Sequence, residues 1–323
     1  MIKGCESSPF FVRIPIRFRI TLTKIKEKKM DYKDFLGSVR DYINEISDDV
    51  KVSIHTAVKN NGVTLLGLTF CKDGYNASPT IYMENYYTDY LNGEDIAGIG
   101  DRLIEMYNEN CLAASLDMSF FDDFDLVKDR LYIKLINRKK NKEFLNEAPH
   151  EDFLDLAIVA YVRIFDRKIG NGIIMVKNEH LRMWQVDGAR VIEEARKNTH
   201  DHDGFNLRHI LDVLETLGNS VDLADEDRSQ FPMYVATNRK MTCGASVLTM
   251  NDKLKEFARI IGGDYYIIPS SVHELILLRR GDNDNARDID MMIREVNDHE
   301  LCPDEVLSDH VYVYSKDDEV LIF

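Results

Sequence analysis

Consecutive strand-like runs in this chain are separated by joints of only a few residues, and that spacing restricts the fold more than any other feature. VKVSIHTAV passes through Lys59-Asn60-Asn61-Gly62 into VTLLGLTFCK, and DYYIIP passes through Ser270-Ser271-Val272-His273-Glu274 into LILLRR. Joints this short suit antiparallel neighbours, because a parallel return needs a crossover of about a dozen residues. Asn-Gly between alternating or apolar runs is a hairpin signal in its own right.

Helical periods alternate with these runs. Phe35, Leu36, Val39, Tyr42, Ile43 and Ile46 recur at helical spacing within Asp31–Ile46. EDIAGIGDRLIEMYNEN, VDGARVIEEARKNTH, NDKLKEFARIIGG and ARDIDMMIREVND read as further helices. Asp187 is expected to cap the second, Asn251 or Asp252 the third, and Gly262-Gly263 to stop the third. DRLYIKLINR, DFLDLAIVAYVRIF, GIIMVKNEHLRMW, FPMYVATN, VYVYS and EVLIF read as strands. The expected class is α+β, with mainly antiparallel sheets and helices packed on one face, not a doubly wound parallel fold. Residues 30–150 are expected to form a helix/hairpin/helix subdomain and 151–323 an α+β subdomain.

Residues 1–29 stand apart. They carry eight Lys/Arg against Glu6 and Glu27, a net +6, whereas the whole chain is −15, so the remainder carries −21. Arg13, Arg17, Arg19 and Pro15 interrupt the apolar run of FFVRIPIRFRITL, which fits neither a secretory signal nor a membrane span. These residues are expected to be an upstream extension, read from a start codon ahead of a native start at Met30. The acidic body disfavours general nucleic-acid binding. Five scattered cysteines, Cys5, Cys71, Cys111, Cys243 and Cys302, form no CxxC pair and suit a reducing cytoplasm.

Several polar clusters invite chemistry. Ser270, Ser271, His273 and Glu274 lie within five positions. A serine nucleophile needs a base in hydrogen-bond reach and an orienting acid, and Ser271 and His273 share a face of an extended chain about 6–7 Å apart. No GxSxG elbow accompanies them. The plainer expectation is a strand joint, in which Pro269 and the serines interrupt ladder pairing. Asn178-Glu179-His180, ahead of Trp184, offers Glu179 and His180 as an acid/base pair, or else the solvated end of a strand. Asn238 is a third polar position at a strand end. His200 and His202 in THDHDG have a metal-like spacing without a converging third ligand, so no metal is expected. Counting Asp282 first, Arg287 and Ile293 occupy the glycine and glutamate positions of a calcium loop, which excludes one. GEDIAGIG is neither a P-loop nor a dinucleotide fingerprint, so no cofactor is expected. Tyr82, Tyr86, Tyr87 and Tyr90 suit either packing or a protein interface.

NNGVTLLGLTF, SPTIYMENYY, KNEHLRMW, PMYVATN, the GASVL run, YYIIPSSVHE and EVLSDHVYVY, in this order, resemble the bacterial family catalogued as domain of unknown function 5688. The chain is more distantly similar to domain of unknown function 1444. Neither resemblance implies an activity, a cofactor or a catalytic residue. The first expectation is therefore a cytoplasmic accessory or regulatory module that binds a protein partner. The alternatives are a hydrolase-like enzyme whose site assembles from Asn178–His180, Asn238 and Ser270–Glu274, and an acidic mimic of nucleic acid.

Overall fold

The computed structural model describes residues 29–76, 78–109, 117–166, 170–216, 232–281 and 284–323. The expected upstream extension, residues 1–29, lies outside them except for Lys29, as do residues 167–169 and 217–231. All the strand pairs among the described residues are antiparallel, and the class is α+β.

The chain opens with helix α1 (Tyr32–Ile46), capped by Asp31, whose carboxylate accepts from the Asp34 amide at 2.9 Å. Strands β1 (Lys51–Val58) and β2 (Thr64–Cys71) form the hairpin, and β3 (Thr80–Tyr82) adds to β2. Asn61 and Gly62 both have positive φ, 60° and 69°, which is why Asn-Gly stands at this turn. Helices α2 (Glu84–Asn92) and α3 (Ile96–Glu109) follow. Phe35, Leu36, Val39 and Ile43 of α1 pack with Val52, Leu68 and Phe70 of the sheet and Ile99, Leu103 and Tyr107 of α3. Each such side chain, fully buried, contributes about 1.5–3 kcal/mol relative to exposure.

After the short helix α4 (Phe124–Val127), β4 (Leu131–Asn137), α5 (Lys142–Glu147), β5 (His150–Phe153), β6 (Leu156–Asp166) and β7 (Gly170–Met175) build the second sheet. The long β6 is its axis: β4 runs along one edge, and β5 and β7 share the other. Residue 150 lies in β5, and β4 pairs along its whole length with β6 across that point. Helices α6 (Asn178–Trp184) and α7 (Gly188–Asn198), strand β8 (Asn206–His209), helix α8 (Ile210–Thr216) and strand β9 (Met233–Thr237) come next. Helix α9 (Asn251–Ile261), β10 (Tyr265–Pro269), β11 (Leu275–Arg279), α10 (Ala286–His299), β12 (Tyr312–Ser315) and β13 (Val320–Ile322) complete the chain. The third sheet has the order β13-β12-β10-β11-β9-β8.

The second and third sheets share one core, with Ile133, Leu135, Ile158 and Ala160 from one and Tyr265, Ile267, Leu275 and Tyr312 from the other. Val191 and Ala195 of α7 and Leu254 and Phe257 of α9 join it. Tyr266 and Ile268, the alternate residues of β10, face a second cluster with Ile293 of α10. Helices thus cover both faces of the third sheet, and β10 reads as an unbroken apolar run because it is buried on both sides.

Two local expectations are corrected. KNEHLRMW continues no strand; Asn178–Trp184 is a helix, and the amide of Lys177 donates to His180 Nδ1 at 3.1 Å to close its first turn. Neither Asn251 nor Asp252 caps α9, which starts at Asn251 from Met250 with no side-chain cap. Asp187 does cap α7, accepting from the Arg190 amide at 2.8 Å, and Gly262 ends α9 at φ 80°. No helix among the described residues is long and apolar enough to cross a membrane.

Candidate functional site

The Ser270–Glu274 joint is a tight turn. Pro269 pairs with Leu275, and the Ser271 amide donates to the Glu274 carbonyl at 3.2 Å. Ser271 Oγ, on a buried side chain, accepts from the His273 amide at 3.0 Å, and Ser270 Oγ meets Glu274 Oε1 at 3.3 Å. Ser271 and His273 are therefore linked through the backbone amide of His273, the geometry of a serine turn. The imidazole faces elsewhere: Nδ1 accepts from the Cys243 amide at 3.1 Å, and Nε2 lies 3.8 Å from Glu305 Oε1.

Three other segments close on this turn. Thr237, at the end of β9, donates through its hydroxyl to the His273 carbonyl at 2.7 Å. The Ala245 amide donates to the Val272 carbonyl, and the Val272 amide donates to the Glu305 carbonyl at 2.9 Å. Asn238 shapes the intervening loop, its Nδ2 donating to the Thr242 carbonyl at 2.9 Å and its Oδ1 accepting from the Lys240 amide at 3.0 Å. Gly244 sits where a β-carbon would lie 2.0 Å from Thr237 Oγ1 and 2.3 Å from the His273 carbonyl oxygen, so only glycine fits. PMYVATN, GASVL, YYIIPSSVHE and EVLSDHVYVY, distant in sequence, meet at this point.

Beneath the loop lies a polar constellation that the sequence reading missed. Arg163 of β6 grips Asp203 with two hydrogen bonds and donates to the Tyr161 hydroxyl at 2.9 Å, while its guanidinium lies 3.6 Å from the centre of the Tyr132 ring. A π-turn over Thr199–Asp203 places Asp203 inward. Cys243 packs against Tyr132 and Tyr161, and burial pushes its thiol pKa up, so it is held as an inert thiol. The one sequence signal for this group is Arg163 itself, a charge inside the apolar run AIVAYVRIF.

The metal-like histidines diverge. His200 Nε2 meets Thr249 Oγ1 at 2.9 Å, and His202 Nδ1 faces the Tyr132 hydroxyl at 3.5 Å. Among the described residues no group of three His, Cys, Asp or Glu could hold a metal ion.

Glu179 and His180 occupy a different environment. The His180 ring stands edge-on to Phe121 at 5.1 Å and lies 5.6 Å from Trp184, and burial lowers its pKa. Glu179 lies 3.9 Å away on the exposed side, and Asn178 Nδ2 reaches the Asn146 carbonyl at 3.4 Å. Those partners are separate from those of His273, so the contacts hold the two groups in two distinct polar settings.

The tyrosines of α2 and β3 are half-buried. The Tyr87 hydroxyl donates to the Met30 carbonyl at 3.0 Å, and the Met30 amide donates to the Tyr90 hydroxyl at 3.4 Å. Both rings pack on Phe35, at 5.2 and 5.3 Å. Tyr86 lies under Arg102 and Tyr82 under Lys59. The Tyr87 and Tyr90 rings fasten the start of α1 to α2.

Fold and site together define an α+β protein whose characteristic segments converge on a closed polar joint. The chain belongs to the family of unknown function DUF5688, whose profile matches residues 32–316. No curated protein and no solved structure matches it.

Proposed function

We propose that the protein is a binding module whose partner is another protein, with no catalysis of its own. The observation that carries this reading is the outer face of α10. It buries Ile293 but leaves Met291, Met292 and Val296 61%, 50% and 45% exposed. Three large apolar side chains on one helix, two of them methionines that adapt to varied surfaces, suit a protein interface. The net −21 of the chain beyond residue 29 supports a partner with a basic rim and opposes a phosphate backbone. The polar joint agrees, because Ser271 and His273 Nδ1 are already engaged in holding backbone amides.

Paired substitution Met292→Glu with Val296→Glu tests the reading. Immobilised wild-type chain is expected to retain a defined, saturable partner from a lysate of its host, and the double variant to lose it at unchanged Tm. Equal retention by both, or no saturable partner, overturns the proposal.

A further inference from the structure

The loop that follows β9 presents a surface opposite in sign to the rest of the chain. Arg239, Lys240, Met241 and Thr242 are all exposed, Met241 at 65%, between the buried Asn238 and Cys243. Neither Arg239 nor Lys240 forms an ion pair among the described residues.

The surface is continuous with the face of β6 and β7. The Arg239 amide donates to the Asp203 carbonyl at 3.0 Å, and its guanidinium lies against Gly204, 3.1–3.2 Å from where a β-carbon would stand. The Asp203 carboxylate is taken up by Arg163, so it does not cancel Arg239. Arg163 stands opposite Ile173 in the strand register, which puts the two side chains on one face, and Ile173 is 46% exposed. Two free cations thus adjoin two exposed apolar side chains.

The loop is also held rigid. Asn238 Oδ1 accepts from the Lys240 and Thr242 amides, its Nδ2 donates to the Thr242 carbonyl, and the Cys243 amide is fixed on His273. Met241 and Cys243 both have φ 52°, a left-handed value that a non-glycine residue keeps only where its surroundings impose it. Met241 buries little of itself in return. A rigid loop that holds an apolar side chain in water lowers the ordering cost of binding something there.

We propose that this loop and the adjoining Arg163–Ile173 face dock a short acidic peptide segment of another protein, with carboxylates on Arg239 and Lys240 and an apolar side chain against Met241 and Ile173. Charge decides the class of partner. A DNA duplex or an anionic bilayer would also set its charge against the acidic body, whereas a short peptide can keep its own within about 10 Å of the loop, the range over which salt leaves charges visible. The surface shares no residue with the α10 face and does not depend on the partner proposed there.

Fluorescence anisotropy of the labelled peptide acetyl-EEFDLDEE-amide, titrated with the full chain, tests the proposal. Saturable binding is expected, at least tenfold tighter than for the neutral analogue acetyl-QQFNLNQQ-amide, and weaker at about 300 mM than at about 50 mM sodium chloride. Arg239→Glu with Lys240→Glu is expected to abolish it. Lys139→Glu with Lys142→Glu, the same change of net charge elsewhere on the surface, is expected to leave it within about twofold. Met241→Gly is expected to weaken it at least threefold while Tm holds or rises, because glycine accepts φ 52° without strain. No saturable binding, equal affinity for the neutral analogue, or equal loss from the two charge-reversed pairs overturns the proposal. So does tighter binding of double-stranded DNA or of phosphatidylserine vesicles through the same two cations.

Discussion

Arg163 and Asp203 are joined by two parallel hydrogen bonds, Nη1 to Oδ1 at 2.9 Å and Nη2 to Oδ2 at 2.7 Å, with the Asp203 side chain 1% exposed and that of Arg163 21%. Asp203 is thus almost wholly removed from water, and the guanidinium is what makes that burial tolerable. Arg163→Met leaves the carboxylate without its charge partner, and removing one member of a buried pair costs about 3–5 kcal/mol. Because Arg163 is partly exposed, the lower end, about 3 kcal/mol, is expected from urea unfolding. Adding Asp203→Asn to Arg163→Met is expected to recover part of the loss. A single variant within about 0.5 kcal/mol of wild type would contradict the role given to the pair.

Burial lowers the pKa values of His273, His180 and His200. In two of them the geometry demands a neutral ring, since Nδ1 of His273 accepts from the Cys243 amide and Nδ1 of His180 from the Lys177 amide. The folded values lie below the unfolded value of about 6.5, so the unfolded chain binds more protons in that interval. This stability is fully present above about pH 6.5 and is lost as pH falls through the depressed folded-state values. Tm is expected to fall between pH 7.5 and pH 5.5, and His273→Asn, whose side-chain oxygen can take the same amide, is expected to flatten the slope. A Tm constant over that range would exclude the mechanism.

Much of this architecture is legible in sequence, and the failures have physical causes. The hairpin around Asn60-Asn61-Gly62, the capped α7 and the glycine-stopped α9 follow from local backbone preference, which sequence displays directly. KNEHLRMW misleads because the amphipathic signal of a seven-residue helix is short, and its cap is a histidine nitrogen. The Ser270–Glu274 joint is recognisable, but its bonds to Thr237, Cys243, Ala245 and Glu305 depend on tertiary approach. The Asn60-Asn61 pair reads as a turn, yet it also bonds carbonyls 242 to 245 positions away, which no local pattern reveals.

That second role of Asn61 is measurable. Its amide donates to Asn141 Oδ1 at 2.8 Å, its Nδ2 donates to the carbonyls of Pro303 and Val306 at 2.8 and 2.7 Å, and its Oδ1 accepts from Asn141 Nδ2 at 2.9 Å. The hairpin tip is thereby fastened to the loop before β12. Asn61→Gly keeps the left-handed backbone but loses the side-chain bonds, at an expected cost of about 1–3 kcal/mol. Asn61→Ala loses the same bonds and, unlike the glycine variant, still carries a β-carbon at φ 60°, for about 1 kcal/mol more than Asn61→Gly. Denaturant midpoints in the order wild type, glycine, alanine are expected; a glycine variant as stable as wild type would show that the tether contributes nothing.

Gly244 supplies the most stringent test of the joint, because it probes contact without altering charge. Its φ is not in the left-handed region, so backbone strain plays no part, and the whole effect of a methyl group comes from the Thr237 hydroxyl and the His273 carbonyl oxygen. Neither can withdraw cheaply. Thr237 Oγ1 donates to that same carbonyl, and the His273 ring is fixed by the Cys243 amide, so a shift of one breaks the others. Overpacking ordinarily costs about 1–3 kcal/mol, and a contact this close belongs at the upper end or beyond. Gly244→Ala is expected to lose about 3 kcal/mol by urea unfolding, while Gly263→Ala, which has open space around it, is expected to change stability by less than about 1 kcal/mol. Equal effects at the two glycines would mean that the four segments do not close as tightly on His273 as these distances require.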